Sequence, residues 1–249
     1  MTSEQAASVT AAILVIGDEI LSGRTKDKNI GYIADYMTNI GIDLREVRIV
    51  PDVMEEIVDA LNALRQRYTY VFTTGGIGPT HDDITADAVA QAFGVELYED
   101  QRIIEAMLTR IKPEDLNESR RRMARVPRGG DLVPNPVNKI PGFRIGNVIV
   151  MAGVPMIMQA MLDGVAPTLQ TGVKLTMTAI EADAPEGAYA AALGEIAKAH
   201  EPLSIGSYPS YADGKFKNQI IVRGRDPQEV ATTVQEIEHM LATLRDAKK

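Results

Sequence analysis

Five carboxylates and one histidine in the N-terminal third of the chain come directly after apolar runs, where strands would end. They are Asp18, Glu19, Asp52, His81, Asp82 and Asp83. In a doubly wound sheet the carboxyl ends of the strands open on one edge, where ligands bind. We therefore expect these side chains to converge. Carboxylates beside a phosphate are what a hard divalent cation such as Mg²⁺ requires.

A glycine-rich segment, residues 75–83, contains three of these groups and precedes a helix predicted over Thr85–Phe93. Exposed backbone N–H groups and the helix dipole at such a turn favour a bound anion. Glycine permits the close backbone approach that this binding needs. We predict that the ligand phosphate is bound by Gly75, Gly76, Gly78 and Thr80.

The acids then divide into two predicted roles. A divalent metal would be held by Asp18, Glu19, Asp82 and Asp83, while Asp52, Asp83 and His81 would do the acid–base chemistry. Simpler interpretations stay open for single residues. Asp52, Asp82 or Asp83 could do no more than cap a helix, and Glu19 could be a solvated charge in a loop. The prediction depends on their convergence.

The one dense basic segment of this acidic chain lies at residues 120–128. Its members are Arg120, Arg121, Arg122, Arg125 and Arg128. They could contact substrate phosphates through bidentate hydrogen bonds. The alternative is a solvated helix face balanced by Glu114, Asp115 and Glu118.

The elements that must position these residues alternate between strand and helix. Strands are predicted over residues 9–17, 42–50 and 68–74, with helices after each, further helices at 100–111 and 113–124, and a hairpin of 143–145 with 148–151. Strands that are apolar on both faces favour a mostly parallel sheet covered by helices on each side. The predicted fold class is α/β, a three-layer sandwich over residues 9–168.

A boundary is predicted at residues 167–172, followed by a small α+β domain over residues 171–249. Its predicted elements are a strand at 173–180, a helix at 187–200, a hairpin of 203–208 with 216–223, and a helix at 226–244. This β-α-β-β-α order indicates helices on one face of an antiparallel sheet.

The amino-acid composition excludes several classes of protein. The 249 residues carry a net charge of −8 and no cysteine, which excludes a disulfide scaffold, a thiolate metal site and a cysteine nucleophile. Few aromatic residues and an acidic balance disfavour nucleic acid as a partner. The first apolar run is too short to span a membrane, so we expect no membrane partner and a cytoplasmic location.

Four separated motifs resemble the MoaB/Mog molybdopterin-binding superfamily. They are residues 16–23 (IGDEILSG), 50–52 (VPD), 74–83 (TGGIGPTHDD) and 153–155 (GVP). The third motif is closer to the branch that contains the N-terminal domains of CinA and of eukaryotic FAD synthase, since Ile77 stands where true adenylyltransferases have threonine. The similarity continues through residues 204–209 (SIGSYP).

This resemblance implies a three-layer α/β fold, a homo-oligomer, and a site for a small nucleotide or pterin that includes Gly153. In the CinA and FAD synthase branch it implies metal-dependent hydrolysis, with Mg²⁺, Mn²⁺ or Co²⁺, of ADP-ribose, FAD or a related dinucleotide. The alternative is a protein that binds molybdopterin or a nucleotide without turnover. Molybdopterin adenylyl transfer, in which the residues matching Asp52 and Asp83 are implicated, ranks last because of Ile77. We expect the deamidase and adenylyltransferase domains of those larger proteins to be absent.

Overall fold

A computed structural model describes residues 8–212 and 214–246 of the chain. It divides into two compact units between Gly172 and Val173, called here the N-terminal and C-terminal units. Among the described residues, no helix is both long and apolar enough to cross a membrane.

The N-terminal unit is built on a six-stranded sheet in the order β2-β1-β3-β8-β7-β6. Its strands are β1 (Thr10–Ile16), β2 (Asp43–Val50), β3 (Tyr70–Thr74), β6 (Asp131–Val133), β7 (Gly142–Ile145) and β8 (Val148–Met151). The pairs of β1 with β2, β1 with β3, and β3 with β8 are parallel, and β7 is antiparallel to both neighbours. The mostly parallel α/β sheet that the sequence predicts is confirmed.

Helices cover both faces of this sheet. They are α1 (Asp18–Leu21), α2 (Ile30–Asn39), α3 (Met54–Arg67), α4 (Thr85–Phe93), α5 (Gln101–Leu108), α6 (Glu118–Arg122) and α7 (Pro155–Val165). Alternate residues of β1 point to opposite faces. Leu14 packs in a core with residues of α3, α4 and α5, and Ile13 packs in a second core with residues of α2 and α7. The unit is therefore a three-layer sandwich.

The region before the basic segment differs from the prediction. The helix expected over residues 113–124 is a 3₁₀ turn, Pro113–Asp115, followed by the separate helix α6. Asn117 interrupts the run because its side chain accepts a hydrogen bond from the amide of Arg120, at 3.0 Å, and so begins a new helix. A two-stranded antiparallel sheet, β4 (Leu97–Glu99) with β5 (Arg125–Pro127), was not predicted.

The C-terminal unit has a three-stranded antiparallel sheet in the order β10-β13-β9 and two helices. Its elements are β9 (Thr176–Ala182), α8 (Ala190–Ala199), β10 (Ser204–Tyr208), β11 (Tyr211–Ala212), β12 (Lys215–Phe216), β13 (Asn218–Gly224) and α9 (Pro227–Asp246). Ile220 and Val222 of the sheet pack in one core with Leu193 and Ile237 of the helices. The predicted hairpin is present, but β13 begins at Asn218 because β11 and β12 form a separate small ribbon.

Candidate functional site

The candidate site lies where three parallel strands end at one edge of the N-terminal sheet. Ile16 at the end of β1 is paired with Val50 at the end of β2, and Val15 is paired with Thr74 at the end of β3. The chain segments that follow these strands carry the predicted acids. The sheet thus provides the common edge on which the predicted convergence depends.

The glycine turn after β3 packs directly on the end of β1. Gly75 has φ 103°, and a Cβ there would lie 2.1 Å from the carbonyl oxygen of Ile16. Gly76 has φ 65°, and its Cβ would lie 2.1 Å from Oγ1 of Thr85. Thr85, fully buried at the start of α4, donates from Oγ1 to the Gly75 carbonyl at 2.9 Å and from its amide to the Gly76 carbonyl at 3.0 Å. The two glycines are therefore required by sterics, and Thr85 fixes the turn.

Gly153 lies on the same turn, because a Cβ on it would be 3.3 Å from Cα of Gly75. Its carbonyl accepts a hydrogen bond from Nδ2 of Asn29 at 2.8 Å. Asn29 is 4% exposed, and among the described residues its Oδ1, like Oγ1 of Thr74, is buried without a partner. Buried acceptors of this kind are unusual. Sequence reasoning missed Asn29, although a polar residue directly before the periodic run of α2 was a signal for it.

Asp52 is the centre of the acidic group. Its Oδ2 accepts a hydrogen bond from the amide of Asp18 at 3.0 Å. Partial burial raises the pKa of Asp52, the charges of Asp18, Glu19 and Asp82 raise it further, and the Asp18 amide opposes the shift. Asp52 is not a helix cap, because the N-cap of α3 is Val53. The structure therefore brings four of the predicted acids into one electrostatic group.

Asp83 is held differently, within its own turn. Its Oδ2 accepts hydrogen bonds from the amide of Thr80, at 2.8 Å, and from the Thr80 hydroxyl. A Cβ on Gly78 would lie 2.6 Å from the same oxygen, so this glycine makes room for the carboxylate. The N-cap of α4 is Ile84 and supplies no side-chain cap. Asp83 thus closes the glycine turn.

Asp82 and His81 face the solvent. Hydrogen bonding to Thr80 and to its own amide lowers the pKa of Asp82, and the charges of His81 and Arg122 contribute. Nδ1 of His81 is 3.9 Å from Oδ1 of Asp82, and the histidine side chain is 98% exposed. Glu19 folds back over Gly17, where a Cβ would lie 2.5 Å from Oε2 of Glu19.

Two arginines of the basic segment reach the glycine turn. Arg122 donates from Nε to the carbonyl of Asp83 at 3.2 Å. Arg125 forms a bidentate pair with Asp87 in the first turn of α4, at 2.9 and 2.7 Å, and Arg122 is 3.6 Å from the same carboxylate. Asp87 was not predicted, and only its place in the first turn of a helix marked it. The pairing anchors α6 and β5 to α4.

The other arginines of the segment contact different elements. Arg121 pairs with Glu99 at 2.7 Å, Arg128 with Glu96 at 2.9 Å, and Arg120 donates to the carbonyl of Asp115 at 2.5 Å. The segment is therefore not a uniform solvated face, since Arg122 and Arg125 alone among these contacts reach α4 and its turn.

Carboxylate oxygens are the donors that a hard divalent cation prefers. In the described part of the chain, no group of three or more His, Asp or Glu side chains is arranged to hold a metal ion. Mg²⁺ needs fewer, since it is commonly held by one or two carboxylates plus substrate phosphates. Asp18, Glu19 and Asp52 fit that requirement, because among the described residues none of the three forms an ion pair and the charges of Asp18 and Glu19 raise the pKa of Asp52.

Comparison with known proteins identifies the family of each unit. Residues 12–171 match the family described as "Probable molybdopterin binding domain", and residues 174–245 match "FAD synthase, middle domain". The chain belongs to the molybdopterin-binding domain family. The resemblance that the four motifs predict is confirmed.

Individual relatives divide into short and long proteins. A protein of Archaeoglobus fulgidus is 30% identical over 231 residues, which is 92% of this chain and 96% of that protein. A "Probable FAD synthase" of Caenorhabditis elegans is 28% identical over 94% of this chain, which spans only 50% of that enzyme. The crystal structure of a CinA protein of unknown function from Thermoplasma acidophilum is 31% identical, with a TM-score of 0.61 over 65% of this chain and 98% of that one.

Proposed function

We propose that the N-terminal unit is a metal-dependent pyrophosphatase acting on ADP-ribose, FAD or a related dinucleotide. The observation that carries this proposal is the convergence of acids at the strand ends beside the glycine turn, where Oδ2 of Asp52 accepts the Asp18 amide at 3.0 Å. Burial and the charges of Asp18, Glu19 and Asp82 raise the pKa of Asp52. Perturbed carboxylates in a ligand cleft are candidates for acid–base chemistry. The relation to CinA and FAD synthase proteins supports the same assignment.

The glycine turn binds and orients the diphosphate of the substrate. Gly75, Gly76 and Gly78 let the turn pack closely on its neighbours, and Arg122 holds the turn through the carbonyl of Asp83. Asp18, Glu19 and Asp82 are the carboxylates that would hold a divalent cation, Mg²⁺, Mn²⁺ or Co²⁺. When bound, such a cation neutralises phosphate charge and lowers the pKa of a bound water.

Asp52 is the general base of the proposed reaction. Its raised pKa makes it a better proton acceptor than an ordinary aspartate near neutral pH. The water oxygen forms a bond to one phosphorus, the bridging P–O bond breaks, and the water proton passes to Asp52. In this proposal the exposed His81 supplies a proton to the leaving phosphate. AMP and a second monophosphate are the products.

The test is AMP release from ADP-ribose and from FAD in the presence of each of the three metals. General-base catalysis contributes about 10²–10⁴-fold, so Asp52→Asn should lose at least about 100-fold in kcat. Asp59→Asn is the matched control, because Asp59 is an exposed acid on α3 outside the acidic group. Absence of turnover with every metal and both dinucleotides would refute the proposal.

A second candidate is binding of molybdopterin or a nucleotide without turnover. It is favoured by Asp83, whose carboxylate is already bound to Thr80. Calorimetry that finds tight binding without a metal, and an unchanged ligand afterwards, would support it. Adenylyl transfer ranks lower because Ile77 stands where that branch of the family has threonine. It would be tested by ATP consumption with molybdopterin. That the protein forms a homo-oligomer stays a prediction, and light scattering would test it by measuring the molar mass in solution.

A further inference from the structure

The C-terminal unit contains an open cavity that the proposed hydrolysis does not use. It has a volume of about 300 Å³ and is lined by Glu186, Pro209, Ser210, Tyr211, Phe216 and Asn218. All of these residues belong to one unit, so the cavity exists independently of the glycine turn.

A directed chain of hydrogen bonds ends at the carboxylate of Glu186. Nδ2 of the buried Asn218 donates to the hydroxyl of Tyr189 at 3.2 Å, the Tyr189 hydroxyl lies 3.0 Å from Oγ of Ser207, and Ser207 donates to Oε1 of Glu186 at 2.6 Å. Asn218 is oriented by its other contacts, since its Oδ1 accepts from the amide of Ser210 and its Nδ2 also donates to the carbonyl of Ala184.

The direction of this chain follows from the donor inventory. An amide nitrogen only donates, and an ionised carboxylate only accepts. The hydroxyl of Ser207 has one proton and donates it to Glu186. In the hydrogen bond between Tyr189 and Ser207, the Tyr189 hydroxyl must therefore be the donor. The hydroxyls of Tyr189 and Ser207 therefore both donate in the direction of Glu186, and this stabilises the negative charge of its carboxylate.

The other side of Glu186 is open. Among the described residues its second oxygen, Oε2, has no hydrogen-bond or ion-pair partner. Two aromatic rings stand beside it on the small ribbon: Tyr211 is 65% exposed, Phe216 is 40% exposed, and their centroids are 5.1 Å apart in an edge-to-face contact. Neither ring is required for the core, since both lie outside the buried cluster of this unit.

We propose that this cavity binds a small organic cation that carries N–H donors, an alkylammonium or a guanidinium. The charge and the N–H groups pair with Oε2 of Glu186, and the apolar part of the ligand lies against Tyr211 and Phe216. Aromatic faces attract cations as well as apolar groups, which is why a carboxylate with aromatic walls selects this class of ligand.

The probes are methylguanidinium and n-butylammonium, with n-butanol as the uncharged equivalent. Binding to the full chain is measured by NMR chemical shifts of the backbone amides of Ser207, Tyr211 and Phe216. Both cations should move these resonances and saturate, whereas butanol should bind at least tenfold more weakly. Equal binding of butanol would overturn the assignment of a cation site, as would the absence of saturable shifts with either cation.

Variants test each part of the site. Glu186→Gln keeps the size of the side chain and its acceptor for Ser207 but removes the charge, so cation affinity should fall at least tenfold. Glu201→Gln, which removes an exposed charge from the same unit, should bind as the unaltered chain does. Tyr211→Leu should weaken both cations by severalfold with no change in the thermal midpoint. Unchanged affinity in a folded Glu186→Gln chain would overturn the proposal.

Discussion

Two groups of carboxylates flank the glycine turn, and the protein treats them in opposite ways. Asp83 and Asp87 have partners: Thr80 donates hydrogen bonds to the first, and Arg122 and Arg125 pair with the second. Asp18, Glu19 and Asp52 have no ion-pair partner within residues 8–212, and their charges repel one another. The acids with partners build the turn and join it to α4 and α6.

This difference in pairing distinguishes acids that stabilise the fold from acids that are available to bind a ligand. A carboxylate that is paired lowers the energy of the fold, while a group of unpaired carboxylates raises it and is retained where a ligand will supply the missing charge. By this argument the proposed cation belongs with Asp52, and Asp83 serves mainly to shape the turn. The variants below test that division.

The largest effect is expected at the turn itself. Gly75→Ala places a Cβ 2.1 Å from the Ile16 carbonyl at φ 103°, so both sterics and backbone strain oppose it. We expect a loss of about 3 kcal/mol in the free energy of unfolding of the N-terminal unit. Hydrogen exchange of the β1 and β3 amides measures this for that unit alone.

Gly94→Ala is the matched control for that variant. Gly94 also has a positive φ, 64°, but a Cβ there meets nothing within 4 Å. The free energy of unfolding should then fall by only about 1 kcal/mol, the cost of holding an alanine at a positive φ. Equal losses in the two variants would mean that the contact between the turn and β1 contributes nothing.

The next effect compares one paired acid with one unpaired acid. Asp87→Asn leaves Arg122 and Arg125, both about three-quarters buried, without their counter-charge. This should cost about 2 kcal/mol, between the values for exposed and buried pairs. Asp52→Asn removes repulsion and should leave stability unchanged or higher while lowering kcat by at least about 100-fold. Both are measured by the same hydrogen exchange, and a larger loss for Asp52→Asn would reverse the division proposed here.

Much of the fold could be predicted because its signals are local. The runs of β1 and β3 are apolar on both faces, which only a covered parallel sheet accommodates, and α4 lies over Thr85–Phe93, where the sequence places it. The prediction of one helix over residues 113–124 was wrong because an asparagine can either continue a helix or cap a new one. In the structure Asn117 caps α6 by accepting a hydrogen bond from the amide of Arg120.

The site was predictable only in part for a similar reason. Strand ends identify which acids meet, and Asp18, Glu19, Asp52 and Asp82 do form one group. The sequence could not show that Asp83 turns back to Thr80, because this depends on the space that Gly78 leaves. Asn29 and Asp87 act through partners more than 30 residues away in the chain, which no local pattern reveals.

The smallest effect is a pH dependence whose sign distinguishes the two kinds of acid. The pKa of Asp52 is raised from its usual 3.8, so the native state binds this proton more tightly than the unfolded state does. The stability that this proton provides is fully present below about pH 3.8 and is lost as the pH rises through the native pKa. Asp52→Asn should therefore gain stability relative to the unaltered chain as the pH increases over that range.

Asp100 provides the opposite case. Hydrogen bonding to Arg102 holds the pKa of this buried carboxyl below 3.8, so its contribution is present above that pH and is lost as the pH falls through the native value. Relative to the unaltered chain, Asp100→Asn should lose stability as the pH rises, while Asp52→Asn gains it. Urea unfolding of the three chains between pH 3 and pH 7 measures both slopes. If the two variants gave slopes of the same sign, Asp52 would be a paired acid like Asp100, and the electrostatic argument for a cation at its side would fail.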